Sequence, residues 1–266
     1  MTRRLDVELV ARGLARSRTQ ARELVTAGVV LVDGKPAAKP ALPVDDSSTL
    51  ELTREPDRWV GRAALKLLHA LDTWPIAVDG RRCLDVGAST GGFTQVLLER
   101  GAAHVTALDV GHDQLVHSIA TDPRVRDLPG TNIRDVDAAA LGGAFDLVVS
   151  DLSFISLAIA LPAMRPLVTD DGDLVVLVKP QFEVGRERLG RTGVVTSPHE
   201  RRRVLREVAA VVAEQGLHLH GATASPIAGG DGNREFLFWL APRPVPGAPA
   251  TAVDDMLGAI DLEGAS

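Results

Sequence analysis

Lysine is scarce in this 266-residue chain: of 29 basic side chains, only Lys35, Lys39, Lys66 and Lys179 are lysines. Lys179 ends the aliphatic run "LVVLVKP", where a strand usually gives way to a turn residue. Arginine keeps its proton, whereas a desolvated lysine can lose one and act as a base. Three other ionisable residues occupy comparable places. Asp151 closes "FDLVVSD", Glu235 opens "EFLFWLA", and Lys66 lies in a helical stretch ahead of the first long strand. In a parallel α/β sheet the carboxyl ends of the strands converge on one crevice. Taken singly, each of the four also fits a solvated cap or a structural ion pair. Taken together at one crevice, two amines and two carboxylates can move a proton, the carboxylates orienting the amines.

A second constellation suits a nucleoside. "CLDVGASTGGFTQVLL" reads as an apolar strand, a glycine-rich turn and a helix. Gly87, Gly91 and Gly92 let the backbone pass close to a ligand at the strand end. The spacing matches neither G-x-x-x-x-G-K-[ST] nor a clean G-x-G-x-x-G, so a phosphate cradle is disfavoured. Asp109 ends the next strand, 24 residues after Asp85, where a carboxylate can hold a ribose diol. "GTNIRD" then offers Asn132 and Asp135 to an adenine edge. An ordinary glycine turn is the alternative reading of the loop alone. Without a phosphate loop, S-adenosylmethionine is favoured over NAD or ATP.

These residues need a scaffold. From "RCLDVGA" to "REFLFWLAP" the chain alternates strands and helices, which predicts an α/β fold with a parallel, doubly wound, Rossmann-like sheet. A helix from Arg62 carries Leu65, Leu68 and His69 at helical spacing. Ahead of it, "RLDVELVARG" and "SRTQARELVTAG" read as two short helices stopped at Gly13 and Gly28, the second capped by Ser17. "VVLVDGKPA" is a hairpin turning at Asp33-Gly34, and "STLELT" adds a strand, giving a small ααβββ module. The predicted organisation is module 1–54, linker 55–61 around Pro56, main domain 62–243 and a poorly ordered or loosely docked Pro/Ala/Gly-rich tail 244–266. Trp59-Val60 is an apolar pair in that polar linker. It fits either a packing anchor or a hinge ahead of the Lys66 helix.

Charge and composition narrow the function classes. Residues 1–40 hold 8 basic against 4 acidic side chains, while residues 67–266 hold 17 against 26. A basic front on an acidic body fits a module that meets a polyanion. The single cysteine, Cys83, excludes an internal disulfide and fits a reducing cytoplasm. The N-terminus lacks the apolar segment of a signal peptide. The uncharged run 152–164 is shorter than the roughly 20 residues of a spanning helix.

The four polar residues resemble the Lys-Asp-Lys-Glu tetrad of FtsJ-like ribose 2′-O-methyltransferases. The whole chain resembles the TlyA family of ribosomal RNA methyltransferases, often labelled haemolysin, through "RLDVELVARGLARSRTQARELVTAGVV", "DVGASTGGFT", "SDLSFIS", "VKPQFEVG" and "GNREF". The resemblance implies S-adenosylmethionine-dependent 2′-O-methylation of cytidine in small- and large-subunit ribosomal RNA. It makes Lys66, Asp151, Lys179 and Glu235 catalytic, with Lys179 as general base and no metal. Desolvation and the like charge of Lys66 favour a neutral amine at 179, whereas the two carboxylates oppose it. Asp85, Gly87, Ala88, Ser89, Gly91, Gly92, Phe93, Asp109, Asn132 and Asp151 are the implied cofactor residues. The front module resembles an S4 RNA-binding domain, which implies RNA contacts from Arg3, Arg4, Arg16, Arg18, Arg22 and Lys35, with Arg62 beyond the linker. "DRWVG" is similar to an Arg-x-Trp-Val linker, although here Arg58 abuts Trp59. Two other classes compete: a membrane-active cytolysin and a non-catalytic RNA-binding assembly factor. The first needs a spanning or amphipathic segment, and none is evident.

Overall fold

The computed structural model describes residues 2–15, 18–54, 58–185, 187–247 and 252–263. The predicted cap Ser17, the candidate Arg16 and the linker Pro56 lie outside the described residues. The chain divides into two units, Met1–Arg58 and Trp59–Ser266.

In the first unit, strand β1 (Arg3–Arg4) leads into helices α1 (Leu5–Ala11) and α2 (Arg18–Thr26). Strands β2 (Val30–Val32), β3 (Lys35–Pro36), β4 (Pro43–Val44) and β5 (Leu50–Leu52) follow. Gly13 and Gly28 adopt the left-handed backbone that ends a helix. Asp33 and Gly34 have φ of 51° and 75°, the two positive values of a type I′ turn, so β2 and β3 pair antiparallel at the expected place. β5 joins the other edge of β2. The predicted ααβββ order omits β1 and β4, which pair with each other over two residues. Strands that short leave no alternation to read. Leu5, Leu9, Ala21, Leu24, Val25 and Val30 form the core.

The second unit opens with Trp59 and Val60 packed on its own hydrophobic cluster. Helix α3 (Ala64–Thr73), strand β6 (Arg82–Val86), helix α4 (Gly92–Glu99) and strand β7 (His104–Leu108) come next. They precede α5 (His117–Ala120), β8 (Val125–Leu128), β9 (Phe145–Ser150) and α6 (Leu157–Met164). Then come β10 (Val168–Val178), α7 (Pro180–Glu183), α8 (Pro198–Glu214), β11 (His218–Ala224), β12 (Phe236–Ala241) and α9 (Ala252–Gly258). Seven strands form one sheet in the order β11-β12-β10-β9-β6-β7-β8. The five from β10 to the β8 edge are parallel, and β12 runs antiparallel to both β10 and β11.

Alternate residues of the central strands belong to opposite cores. Leu84, Val86, Val148 and Val176 pack on one side of the sheet, Cys83, Leu147, Val149 and Val175 on the other. Burial on both faces explains why "LVV" of β9 and "LVVLV" of β10 read as continuous apolar runs instead of an alternation. The strand order reverses between the parallel neighbours β6 and β9, which opens a crevice at their carboxyl ends.

Two expectations change. On α3 the buried residues are Ala64, Lys66, Leu67, Ala70 and Leu71, while Leu65 is exposed. The helix turns the stripe that carries Lys66 inward; of the residues read at helical spacing, Leu68 packs partly buried on the core and Leu65 faces out. The tail is not loose where it is described. Leu257, Ile260 and Leu262 are buried in the main core, and Arg201 and Arg202 of α8 donate to the carbonyls of Leu262 and Leu257. Pro/Ala/Gly composition hid three well-spaced apolar side chains. Leu257→Ala should therefore cost about 2–4 kcal/mol of unfolding free energy, the range for a buried leucine. A denaturant titration checks this, since a loosely docked tail would give no change.

Candidate active site

The glycine loop is shaped by two close approaches. Gly87 has φ of 87°, and a Cβ there would sit 3.1 Å from the carbonyl oxygen of Asp151. Only glycine allows the β6 loop to come this near the end of β9. Gly92 begins α4, and its Cβ would meet the backbone nitrogen of Ala64 at 3.1 Å. That approach seats α3, and with it Lys66, over the crevice. Gly91 caps α4 with φ of 96°. A side chain there would strain the turn and press on Leu115 and Ile119.

Asp109 ties the loop to the next strand. Its Oδ2 accepts from the Ser89 backbone N–H and its Oδ1 from that of Gly111, both at 2.8 Å. Each carboxylate oxygen keeps acceptor capacity for a diol. Asp85 sits deeper, fully buried, with Oδ2 accepting from the Thr94 hydroxyl at 2.7 Å and Oδ1 without a hydrogen-bond partner. Burial pushes its carboxyl up to about 7, the Thr94 bond opposes this, and the charge of Asp151 adds to it.

Two cavities meet at the strand ends. The larger, about 790 Å³, is lined among others by Asp109, Asn132, Phe154, Ile159 and Phe182. The smaller, about 310 Å³, is lined among others by Lys66, Lys179, Gly229, Gly230 and Glu235. Gly87, Ser89, Asp151 and Ser153 border both.

The four charged residues converge in the smaller cavity. Lys66 Nζ lies 2.6 Å from Glu235 Oε2 and 3.2 Å from Asp151 Oδ2. Lys179 Nζ lies 2.7 Å from Asp151 Oδ1, and it donates to Ser153 Oγ at 2.8 Å. The Lys179–Asp151 contact is an ion pair off the hydrogen-bonding direction, since Asp151 Oδ1 has no hydrogen-bond partner. Lys66, Lys179 and Glu235 are buried, and their charges balance with Asp151. Lys66 is held by two carboxylates, whereas Lys179 shares one and turns to a hydroxyl. Of the two amines, Lys179 is the less committed.

The other sequence candidates distribute as follows. Ala88, Gly92 and Phe93 line the smaller cavity with Arg62, whose side chain is exposed. Asn132 lines the larger one, but Asp135 does not, and neither Asp85 nor Gly91 borders either cavity. Those two act beneath the loop, through Thr94 and through the turn. Sequence reading missed Ser153, although it falls inside "SDLSFIS". It also missed Gly229, where a Cβ would come within 2.5 Å of Glu235 Oε1. Glu183 of "VKPQFEVG" was missed too. It accepts from Ser156 Oγ at 2.6 Å and the Leu157 N–H at 2.9 Å, fixing the start of α6 beside the larger cavity.

The Asp85 carboxyl carries a pH signature. From about pH 3.9, where the unfolded group titrates, to about 7, the folded chain holds one proton more than the unfolded chain. Stability from this group therefore falls as pH rises through that window. Asp85→Asn should remove a decline on the order of 4 kcal/mol, so that variant and parent diverge increasingly from pH 4 to 7. Denaturant midpoints across that range check it, and parallel profiles would contradict it.

Comparison with known proteins follows the same division of the chain. A model of FtsJ-like methyltransferases matches residues 59–241, and a model of the S4 domain matches residues 3–50. The chain is 52% identical to the 16S/23S rRNA (cytidine-2′-O)-methyltransferase TlyA of Mycobacterium tuberculosis, covering 98% of each. It is 32% identical to the 23S rRNA (cytidine-2′-O)-methyltransferase TlyA of Campylobacter jejuni, covering 86% of this chain and 96% of the other. A solved structure named "Putative hemolysin from Streptococcus thermophilus" superposes with a TM-score of 0.71 at 38% identity, covering 97% of this chain and 94% of that one. With an S4 domain ahead of a tetrad-bearing methyltransferase sheet, and with relatives matched end to end, this chain belongs to the TlyA family of FtsJ-like methyltransferases.

Proposed function

We propose that the chain transfers a methyl group from S-adenosylmethionine to the ribose 2′-hydroxyl of cytidine in the RNA of both ribosomal subunits. The observation that carries this reading is the meeting of Lys66, Asp151, Lys179 and Glu235 where two cavities share a wall. The donor set of the larger cavity fits a nucleoside: a carboxylate, an amide and apolar side chains line it. Asp109 would hold the ribose diol and Asn132 the base edge, with Gly87 and Ser89 giving backbone access. Ala88, Gly92 and Phe93 would shape the adjoining wall, and Asp85 and Gly91 would support it from below. When bound, S-adenosylmethionine supplies an electrophilic methyl on a sulfonium.

A 2′-hydroxyl attacks poorly until its proton leaves. Lys179, as the neutral amine, takes that proton and becomes an ammonium beside Asp151. The hydroxyl oxygen, freed of its proton, would be the acceptor of the methyl group that the bound donor supplies. Lys66, bonded to both Asp151 and Glu235, fixes the two carboxylates and leaves Lys179 to Ser153 and the substrate hydroxyl. Arg3, Arg4, Arg18, Arg22 and Lys35 of the S4 unit, with Arg62 on the methyltransferase unit, would hold RNA phosphates. Arg16 shares that assignment from sequence alone.

The 52% identity to a relative named for both subunit RNAs, against 32% to one named for 23S rRNA alone, favours action on both subunits. A ribosomal substrate supports a cytoplasmic setting. The buried Cys83 thiol is pushed up to about 12 by burial, which keeps it inert. Among the described residues no helix is long and apolar enough to cross a membrane.

Radiolabelled methyl transfer to isolated small and large subunits, with the label mapped to ribose, tests the reading. Absence of transfer to either subunit would leave the assembly-factor alternative. Lys179→Arg should lower single-turnover methyl transfer on the order of 10²–10⁴-fold, the usual contribution of a positioned base, with cofactor affinity intact. Retained transfer in a folded Lys179→Arg would remove the base from Lys179. Asp109→Ala should weaken S-adenosylmethionine binding by about 1.5–3 kcal/mol, the range for hydrogen bonds to a charged group. Titration calorimetry on the folded variant measures it directly.

A further inference from the structure

We infer that Asp6 is a positioning residue that gathers Arg4, Arg18 and Arg22 into one preformed grip for the sugar–phosphate backbone of RNA. The inference rests on the reading that the S4 unit binds RNA. Asp6 opens α1 and is fully buried, yet it stays ionised. Arg4 donates to it through Nε and Nη2, both at 3.0 Å. Arg18 Nη2 reaches its Oδ2 at 3.3 Å and Arg22 Nε the same oxygen at 3.2 Å. The Arg4 fork holds the carboxyl well below the usual carboxylate range against the opposing effect of burial, and Arg22 and Arg18 add to this.

The three arginines are not themselves buried. Their side chains are 48%, 54% and 55% exposed, so each gives one or two of its five N–H donors to Asp6 while half its surface faces water. One carboxylate against three guanidiniums leaves a local charge of +2. A core ion pair would not need a third cation. Without Asp6, three like charges would spread apart, each free to sample many rotamers; with it, their forks share one anchor before any ligand arrives. Planar forks fixed in this way match phosphate oxygens.

The neighbouring pair makes a useful contrast. Glu8 accepts from Arg12 at 2.9 Å and Arg3 at 3.3 Å, but Arg12 also donates to the carbonyls of Ser48 and Asp45. Arg12 is thereby occupied in tying down the loop between β4 and β5. The Asp6 group instead presents its cations outward.

The test turns on sign. Removing an acid from a basic surface should tighten RNA binding by simple electrostatics. If Asp6 positions the arginines, the full-length Asp6→Asn variant should bind isolated ribosomal subunits about tenfold more weakly, raising KM for subunits while leaving kcat unchanged. Glu23→Gln, an equal charge change on the exposed side of α2, should bind as tightly as the parent or more so. Folded Asp6→Asn that binds as tightly as the parent, or tighter, overturns the inference. If Asp6→Asn does not fold, Asp6→Glu decides: net charge is unchanged, so weaker binding supports positioning and unchanged binding overturns it. Arg18→Gln combined with Arg22→Gln separates the two levels. If that pair leaves affinity untouched, this surface does not meet RNA and the inference falls with that reading. If the pair weakens binding and the Asp6 variants do not, positioning alone is wrong.

Discussion

A buried ammonium is tolerable only when carboxylates meet it at hydrogen-bonding distance. Lys66 has two, Asp151 from the end of β9 and Glu235 from the start of β12. Satisfying that one nitrogen constrains much of the second unit. Helix α3 must lean so close on α4 that a Cβ at residue 92 would sit 3.1 Å from the backbone nitrogen of Ala64. β12 must run antiparallel, so that its first residues arrive where the parallel strands end. Residue 229 must also lack a Cβ, because Glu235 occupies that space. Three small or reversed features with no chemistry of their own follow from one charge balance.

The same balance distinguishes the two lysines. With both carboxylates drawn towards Lys66, Lys179 is left with one off-axis ion pair and the Ser153 hydroxyl. Replacing either lysine by arginine would bring a wider, permanently charged fork into the shared wall of two cavities. The scarcity of lysine across the chain is then informative. Around Asp6, where guanidinium forks share one carboxylate, the chain uses arginine.

Much of this was legible from the sequence because it lies at element ends. Lys179 ends an unbroken apolar run and Asp151 follows one after a single serine, and such runs mark strands buried on both faces. Glycines 87, 91 and 92 announced a tight strand-to-helix turn. Asp33-Gly34 fixed its hairpin through backbone preference alone. What stayed hidden depends on which face an element turns inward. The inward stripe of α3 is set by packing on α4, and it includes a lysine that hydrophobic periodicity counts as surface. Asp85 and Gly91 look like ligand contacts by motif, yet their partners are Thr94 in one case and Leu115 with Ile119 in the other. The tail's burial rests on three apolar residues in a composition otherwise typical of linkers. Ser153, Gly229 and Glu183 act through distances that only the folded chain defines.

The antiparallel course of β12 has a consequence for synthesis. A chain emerging from its amino end presents the arginine-rich unit first and Lys66 soon after. Asp151 and Lys179 follow with the parallel strands. Glu235 comes late, and it reaches its place only when Phe236 pairs with Val178. Until then Lys66 lacks one of its two counter-charges and the central sheet lacks an edge. The arginine-rich unit is thus complete in the chain well before the four-charge cluster is, and Glu235 is the last of the four to be made.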